Sequence, residues 1–297
     1  MHELEVPSSA GGTRLDAFLA GPLGSRARAQ RLLDSGGVRV DGERRAKSHT
    51  LAGGETIAID DPPDDVTAAA ASSIANVAVV WEDEHLLVVD KPAGLVVHPA
   101  GARHRGRTLV DALAGRARGG PDPQRAGIVH RLDRDTSGLL VVTRDEATHR
   151  ALRRQIAERK VLREYLALVE GRPSARSGTI DAPIGRDRRV RTRFSTDTGS
   201  PRPALTHFAL ERALPDATLL RVRLETGRTH QIRAHLRAIG HPVAGDPDYG
   251  TKGVYGLERQ FLHAARLAFD HPIGGARVDV SSELPPDLRR ALESAGR

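Results

Sequence analysis

Apolar residues near the start of the chain recur in a way that predicts a small module. A helical stripe runs over residues 15–19, and a second helix is predicted over residues 27–33. Two short runs with β-type composition follow, at 38–40 and 56–59. Two helices and two strands in this order predict a compact α/β module over residues 13–60.

The segment 61–76 is predicted to be a linker, because it is acidic and Pro-containing, then Ala/Ser-rich, with no periodic apolar face. From Val77 onward, strand-like apolar runs mix with helical patterns. Strands are predicted at 77–81, 86–89 and 161–169. Strands and helices do not alternate regularly, so the domain predicted over 77–290 is of the α+β class.

Two helices of this domain are predicted to carry cations. One opens at Thr143, which has capping-box spacing to Glu146. The other follows an alternating strand at 220–224 and ends at Gly240. On the second helix, apolar residues share one face and cations the opposite one. Such a helix could hold a carboxylate or an RNA phosphate, although a solvated amphipathic helix fits the same pattern.

Composition excludes several kinds of chemistry. Cysteine is absent from the 297 residues, which excludes disulfides, thiolate catalysis and Cys-ligated metals. His230 and His235 lack the spacing of a helical zinc pair, so no metal is expected. No glycine-rich phosphate motif occurs, so no cofactor is expected. Apolar runs stay short of the roughly 18 residues of a membrane helix, and the start does not resemble a signal peptide. We therefore expect a cytoplasmic protein without membrane contact.

The charge of the chain indicates a nucleic-acid partner. The chain has 45 Lys and Arg residues against 38 acidic residues, which gives a net charge of +7. Most of the basic residues are arginine. Guanidinium groups match phosphate geometry, although an arginine-rich proteome would give the same excess. In the small module, the second predicted helix carries the expected RNA contacts Arg26, Arg28 and Arg31. The run 186–193 is predicted to be an extended basic ribbon, the alternative being a solvated loop.

One segment, Gly127 to Leu140, is the strongest candidate for chemistry. It sets Asp133 among His130, Arg131 and Arg134, in a turn between two apolar runs. A carboxylate flanked by cations stays ionised, so it suits a nucleophile or a base better than an acid. A salt-bridged surface loop is the alternative interpretation of the same residues.

Motifs in both predicted domains are similar to those of known families. The small module carries TRLDAFLA, SRARAQRLLDSGGVRVDG and LAGGETIAI, through which it is similar to the S4 RNA-binding module. The larger domain carries VVDKPAGLVVHPA (88–100), GIVHRLDRDTSGLLVV (127–142), REYLALVEG (163–171), LETGRTHQIRAHL (224–236), GHPVAGDPDYG (240–250) and LHAARLAFDHP (262–272). Taken together, these motifs resemble the RluA-type pseudouridine synthases, and the RluD-like group among them. The resemblance implies a mixed, largely antiparallel central sheet with flanking helices and a cleft across it.

The resemblance also implies roles for individual residues. Asp133 would be the catalytic residue, Tyr165 would pack against the target base, and Arg233 would pair with Asp133. Arg163 stands where the family usually has lysine, which keeps the charge. The remaining expected RNA contacts near the cleft are His130, Arg131, Arg134, Arg228, His230 and Gln231.

The implied reaction is conversion of uridine to pseudouridine in RNA. The RluD-like match favours 23S rRNA as the substrate, with tRNA or another rRNA helix as alternatives. A monomer is expected because RNA needs the exposed surface. Two other functions fit the same residues. A non-catalytic RNA-binding or ribosome-assembly factor would keep the scaffold without needing Asp133. A glycosidase or nucleoside hydrolase would release free base instead.

Overall fold

The computed structural model describes residues 2–22, 29, 32–33, 36–59, 77–99 and 106–297. These residues form two compact units. The first contains the described residues up to 59 together with Pro99 and Gly106, and the second contains residues 77–98 and 107–297. The predicted linker and most of the second predicted helix lie outside the described residues.

The first unit contains a short helix and a three-stranded antiparallel sheet. Helix α1 covers Leu15–Phe18, and the sheet order is β1 (His2–Glu5), β3 (Thr56–Ile59), β2 (Val38–Val40). Leu15 and Leu19 are fully buried against Ile57, as the stripe at 15–19 predicts. The two predicted strands are confirmed. Strand β1 escaped prediction because its four residues, HELE, include two carboxylates and only one aliphatic side chain.

A nine-stranded sheet forms the centre of the second unit. Along it the order is β4-β5-β6-β13-β7-β12-β11-β8, and β14 pairs with β13. Every pairing is antiparallel except that of β6 with β13. The expected α+β class and mixed, largely antiparallel sheet are therefore confirmed. The strands are β4 (Ala78–Glu82), β5 (Leu86–Lys91), β6 (Ser137–Thr143), β7 (Leu162–Glu170), β8 (Ser177–Asp181), β11 (Leu205–Ala213), β12 (Ala217–Leu224), β13 (Leu262–Asp270) and β14 (Arg277–Ser281).

The parallel pairing depends on a glycine. Strand β6 is buried along its whole length, and Gly138 lies opposite Ala264 of β13. Its φ is +114°, and a Cβ there would lie 2.3 Å from the Ala264 carbonyl oxygen. Only glycine allows the two backbones to approach so closely. The start of β6, and the loop that precedes it, is thereby fixed to a strand from the end of the chain.

Short helices flank the sheet. They are α2 (Leu109–Ala112), α3 (Glu146–Ala157), α4 (Gln231–Ala238) and α5 (Pro286–Ala295), with 3₁₀ turns at Pro123–Arg125 and Val254–Gly256. A further 3₁₀ turn, at Ser8–Ala10, belongs to the first unit. Helix α3 has Asp145 as its N-cap, whose carboxylate accepts a hydrogen bond from the Thr148 N–H at 2.7 Å. The predicted cap at Thr143 is wrong because Thr143 is the last residue of β6. Among the described residues, no helix has the length and apolar character that crossing a membrane requires.

The basic run 186–193 is not an extended ribbon. Strands β9 (Gly185–Arg186) and β10 (Phe194–Ser195) pair in a hairpin, and the residues between them form its loop. The Asp187 carboxylate accepts hydrogen bonds from the backbone N–H groups of Arg189 and Val190, both at 2.8 Å. This Asx-type turn bends the backbone that the alternating arginines predicted to be straight.

Candidate active site

A cleft of about 570 Å³ in the second unit brings together residues that lie far apart in the sequence. Asp133 comes from the loop before β6, Tyr165 from β7 and Arg233 from α4. The turn between β12 and α4 supplies the wall at 225–230. The cleft therefore contains the three residues to which the sequence resemblance assigned catalytic roles.

The Asp133 carboxylate lies beside a guanidinium group. Its Oδ2 is 3.4 Å from Nη1 of Arg233, which comes 100 residues later in the chain. The Asp133 side chain is 17% exposed and that of Arg233 is 4% exposed. The carboxylate thus opens to the cleft while its cationic partner stays behind it, out of the solvent.

Arg233 is held by two further carboxylates. Asp246, fully buried, accepts hydrogen bonds from Nε at 2.6 Å and from Nη2 at 2.7 Å, and Asp248 accepts a bond from Nη2 at 2.9 Å. Burial would lower the pKa of Arg233, but the bonds to Asp246 and the charge of Asp133 raise it above its ordinary value. The guanidinium is permanently charged, and its fork fixes the one N–H group that points at Asp133.

Helix α4 holds carboxylates with its cationic side, which is one of the alternatives that the sequence left open, and this side is not a solvated face. The helix covers only Gln231–Ala238, and its first six residues are all buried. His230 is not on the helix but precedes it, with a left-handed φ of 57°. The polar face of the helix is covered by the segment that contains Asp246 and Tyr249, whose groups bind Arg233 and Arg237. Only the end of the helix, from Arg237, is exposed.

Tyr165 forms part of the cleft wall beside Asp133. It is 5% exposed, and burial raises the pKa of its hydroxyl to about 12, so the phenol is protonated at neutral pH. Two residues earlier on the same β7, Arg163 is also buried and donates to the Glu225 carbonyl at 3.0 Å. Burial lowers the pKa of Arg163.

The cations that flank Asp133 in sequence are not its partners. His130 Nδ1 is buried without a hydrogen-bond partner among the described residues, and its Nε2 accepts from the Val141 N–H at 3.3 Å. Burial lowers the pKa of His130 to about 3, so the ring is neutral. Arg134 binds the neighbouring Asp135 through both carboxylate oxygens. Neither His130 nor Arg134 therefore supplies the positive charge that was predicted beside Asp133, because burial and local pairing were invisible in the sequence.

The other predicted RNA contacts separate into exposed and buried groups. Arg131 and Arg228 are exposed and line the cleft. Gln231 is 2% exposed, and its amide bonds Thr226, the Arg228 N–H and strand β11. His230 bonds the Tyr249 hydroxyl at 3.0 Å, and burial lowers its pKa. These bonds position the turn, and both residues also line the cleft, so their contact with RNA stays a prediction. Arg26, Arg28 and Arg31 lie outside the described residues.

Sequence reasoning gave no role to four residues that support the site. Asp246 is the aspartate of a Gly-Asp-Pro sequence that Asp248 and Tyr249 follow, and the D-x-D-Y spacing is the signal that could have marked all three. The fourth is Lys91, fully buried at the end of β5. Its ammonium donates to the carbonyls of Pro92, Leu95 and Arg134 at 2.8–2.9 Å, and burial lowers its pKa to about 7. Lys91 ties the loop that follows β5 to the loop that carries Asp133.

Comparisons with known proteins agree on one family. A model described as RNA pseudouridylate synthase matches residues 85–238, and an S4 domain model matches residues 13–57. The chain is 43% identical to "Ribosomal large subunit pseudouridine synthase D" of Xanthomonas campestris pv. campestris, over 99% of this chain and 92% of that one. It is 41% identical to the protein of the same name from Nitrosomonas europaea, over 98% and 87%. The solved human RNA pseudouridylate synthase domain containing 1 matches at a TM-score of 0.56 and 31% identity, covering 72% of this chain and 85% of that one.

Proposed function

This chain belongs to the RNA pseudouridylate synthase family, and we propose that it converts uridines of large-subunit ribosomal RNA to pseudouridine with Asp133 as the catalytic residue. Its activity is that of an RNA pseudouridine synthase. The contact between Asp133 and the permanently charged Arg233 in the cleft carries the assignment of the catalytic residue. The names of the two bacterial relatives support ribosomal RNA as the substrate. We also propose that the protein acts in the cytoplasm and as a monomer.

The reaction rearranges bonds within one nucleotide. The N1–C1′ glycosidic bond breaks, the uracil turns, and C5 bonds to C1′ while the C5 proton is lost and N1 gains one. Ionised Asp133 can attack C1′ and displace the uracil, to be displaced in turn by C5. It can instead remove the C2′ proton to give a glycal and return that proton after C5 has added. Both routes need a carboxylate that is charged and fixed, and Arg233 supplies both conditions.

Tyr165 and the cleft walls would hold the uracil while it turns. The protonated phenol presents a flat ring and a neutral hydroxyl, which suit an uncharged base. A uridine in a stem must be flipped out first, at a cost of about a few kcal/mol. Phosphate contacts from exposed cleft arginines such as Arg131 and Arg228 would offset that cost. RNA affinity should therefore fall with salt, with a log–log slope of about −0.7 to −0.9 per phosphate contacted.

The test is pseudouridine mapping by carbodiimide labelling of 23S rRNA after incubation with the protein. Wild-type protein should produce pseudouridine at defined sites, and Asp133→Asn, which keeps size and polarity, should produce none. Asp135→Asn is the matched control, because that carboxylate lies two residues away and binds Arg134. It should keep wild-type activity.

Three outcomes would contradict the proposal. Tight RNA binding without any pseudouridine would indicate a binding or assembly factor. Release of free uracil would indicate a hydrolase. Full activity of Asp133→Asn would remove the assignment of the catalytic residue.

A further inference from the structure

A second cavity, of about 390 Å³, adjoins the cleft. Residues 227–229 line both spaces, so a single turn of backbone separates them. The second cavity lies between that turn and the β9–β10 hairpin. Its volume is within the range of about 300–1,000 Å³ that holds small organic ligands. A ligand in the cavity would therefore be a direct neighbour of whatever occupies the cleft.

Three arginines, Arg186, Arg202 and Arg228, line this cavity without a carboxylate among its lining residues. Within the described part of the chain, none of the three forms an ion pair, whereas Arg221 on the neighbouring sheet binds both Glu164 and Glu211. Uncompensated positive charge from three side chains favours an anion. Guanidinium groups in particular match the geometry of phosphate.

Two of these arginines are held in place by backbone carbonyls. Arg186 donates through Nη1 to the Arg191 carbonyl at 2.7 Å, and Arg228 donates through Nε to the Pro203 carbonyl at 3.2 Å. Each bond uses one N–H direction and leaves the others of that guanidinium for a ligand. The cations are thus partly preorganised, which lowers the entropic cost of binding an anion.

An aromatic ring lies among these cations. Phe194 is half-buried in the cavity wall, and the Arg186 guanidinium is 5.4 Å from its ring centroid. Aromatic rings and arginine planes are the surfaces on which unpaired RNA bases stack. A phosphate-binding trio beside a stacking surface matches the two halves of a nucleotide.

The wall that carries Phe194 is linked to Arg233, the residue that holds Asp133. The Tyr249 hydroxyl accepts from the Phe194 N–H at 2.7 Å and donates to the Phe194 carbonyl at 3.0 Å. The Tyr249 ring in turn lies under Arg233, whose Cζ is 4.9 Å from the ring centroid. On the other side, a Cβ on Gly185 would be 2.4 Å from the Ser200 carbonyl, so the strand is packed closely there.

We propose that this cavity binds the nucleotide next to the target uridine in the same RNA strand. Its phosphate is bound by Arg186, Arg202 and Arg228, and its base packs against Phe194. The proposal rests on the proposed function and adds a specificity site to it: the enzyme reads a neighbour as well as the target.

The test measures binding and turnover separately on a stem-loop RNA taken from a site that wild-type protein modifies. Affinity is measured by fluorescence anisotropy, with single phosphates around the target uridine replaced one at a time by uncharged methylphosphonates. Arg202→Ala is the main variant, because that side chain is exposed and is not part of the catalytic cleft. Arg290→Ala, an exposed arginine of α5, is the control.

Arg202→Ala should weaken binding about tenfold and make the salt slope shallower by about one phosphate. One methylphosphonate position should cost wild-type protein about tenfold and cost Arg202→Ala almost nothing, because both changes remove the same contact. Single-turnover rate at saturating RNA should stay at the wild-type value. Phe194→Leu should likewise lose sensitivity to an abasic nucleotide at that position.

Independent effects of Arg202→Ala and of every methylphosphonate would overturn the proposal, as would binding by Arg202→Ala equal to that by Arg290→Ala. These binding measurements do not depend on turnover, so a failure of this proposal can be told apart from a failure of the proposed function. That failure would be an RNA bound by wild-type protein in which no pseudouridine forms.

Discussion

Replacing Arg233 by alanine should weaken the fold and the reaction together, and the contacts of this side chain give both effects a size. The guanidinium binds Asp246 through two hydrogen bonds and contacts Asp248 and Asp133. Its removal leaves the fully buried Asp246 without a counter-charge. Breaking a buried pair from one side costs about 3–5 kcal/mol. For a unit of this size that predicts a Tm lower by about 6–20 °C.

The effect on the reaction follows from the contact with Asp133. Two unit charges 3.4 Å apart attract by about 5 kcal/mol at an effective dielectric constant of 20. Solvent reaches Asp133, whose side chain is 17% exposed, and screens part of that attraction. Loss of one preorganised charged donor typically slows a reaction by about 10²–10³-fold. We expect a reduction of that size in the single-turnover rate of pseudouridine formation by Arg233→Ala.

The assay measures Tm by calorimetry and single-turnover rate at a temperature where each variant is folded. Arg237→Ala is the matched control, one turn further along the same helix. Its guanidinium donates to the Tyr249 carbonyl, so its loss should cost only about 1–2 kcal/mol. A wild-type rate in folded Arg233→Ala would refute the positioning of Asp133. An unchanged Tm would refute the claim that removing the counter-charge of buried Asp246 destabilises the fold.

Three further predictions follow from single side chains. Lys91→Met keeps the length but leaves three backbone carbonyls unpaired, so the free energy of unfolding should fall by about 3 kcal/mol in urea titrations; an unchanged midpoint would contradict this. The pKa of His130 is lowered to about 3, so the unfolded chain binds more protons than the folded one between pH 3 and 6.5. Stability should therefore fall as pH drops below 6.5, and His130→Asn should reduce that slope by up to about 1.4 kcal/mol per pH unit, whereas equal slopes would show that the ring is charged. Tyr165→Phe should retain most of the turnover and Tyr165→Leu should lose it, as measured by tritium release from C5-labelled uridine RNA; a large loss with phenylalanine would give the hydroxyl a chemical role.

Local pattern was sufficient to predict much of the sheet. Strands at 38–40 and 56–59 were predicted with their exact bounds, and β7 and β12 within a few residues, because burial of alternate or successive apolar side chains is visible in the sequence. The order of the strands was not visible. Insertion of β13 between β6 and β7 joins residues more than 90 positions apart, and no local signal encodes that pairing.

The residues of the candidate site were predicted from family motifs and not from charge, burial or periodicity. Family resemblance identified Asp133 and Arg233, and the structure brings them into contact. The charge state of the surroundings was misjudged, because a histidine close to a carboxylate in sequence can still have its ring nitrogens buried, as His130 Nδ1 is. For the polar face of α4, the sequence left a carboxylate partner, an RNA phosphate and solvent open as alternatives. The face meets Asp246, because a second segment covers it, and such a tertiary contact has no periodic signature.

The parallel contact between β6 and β13 also determines the stage of synthesis at which the active site can form. Strand β13 ends at Asp270, whereas the loop it secures carries Asp133. A chain still being translated, with its first 250 residues outside the ribosome, already contains every residue of the cleft except Leu262 and yet lacks the strand that holds the loop in place. Catalytic competence therefore arrives late in synthesis, after the amino-terminal module has had time to fold.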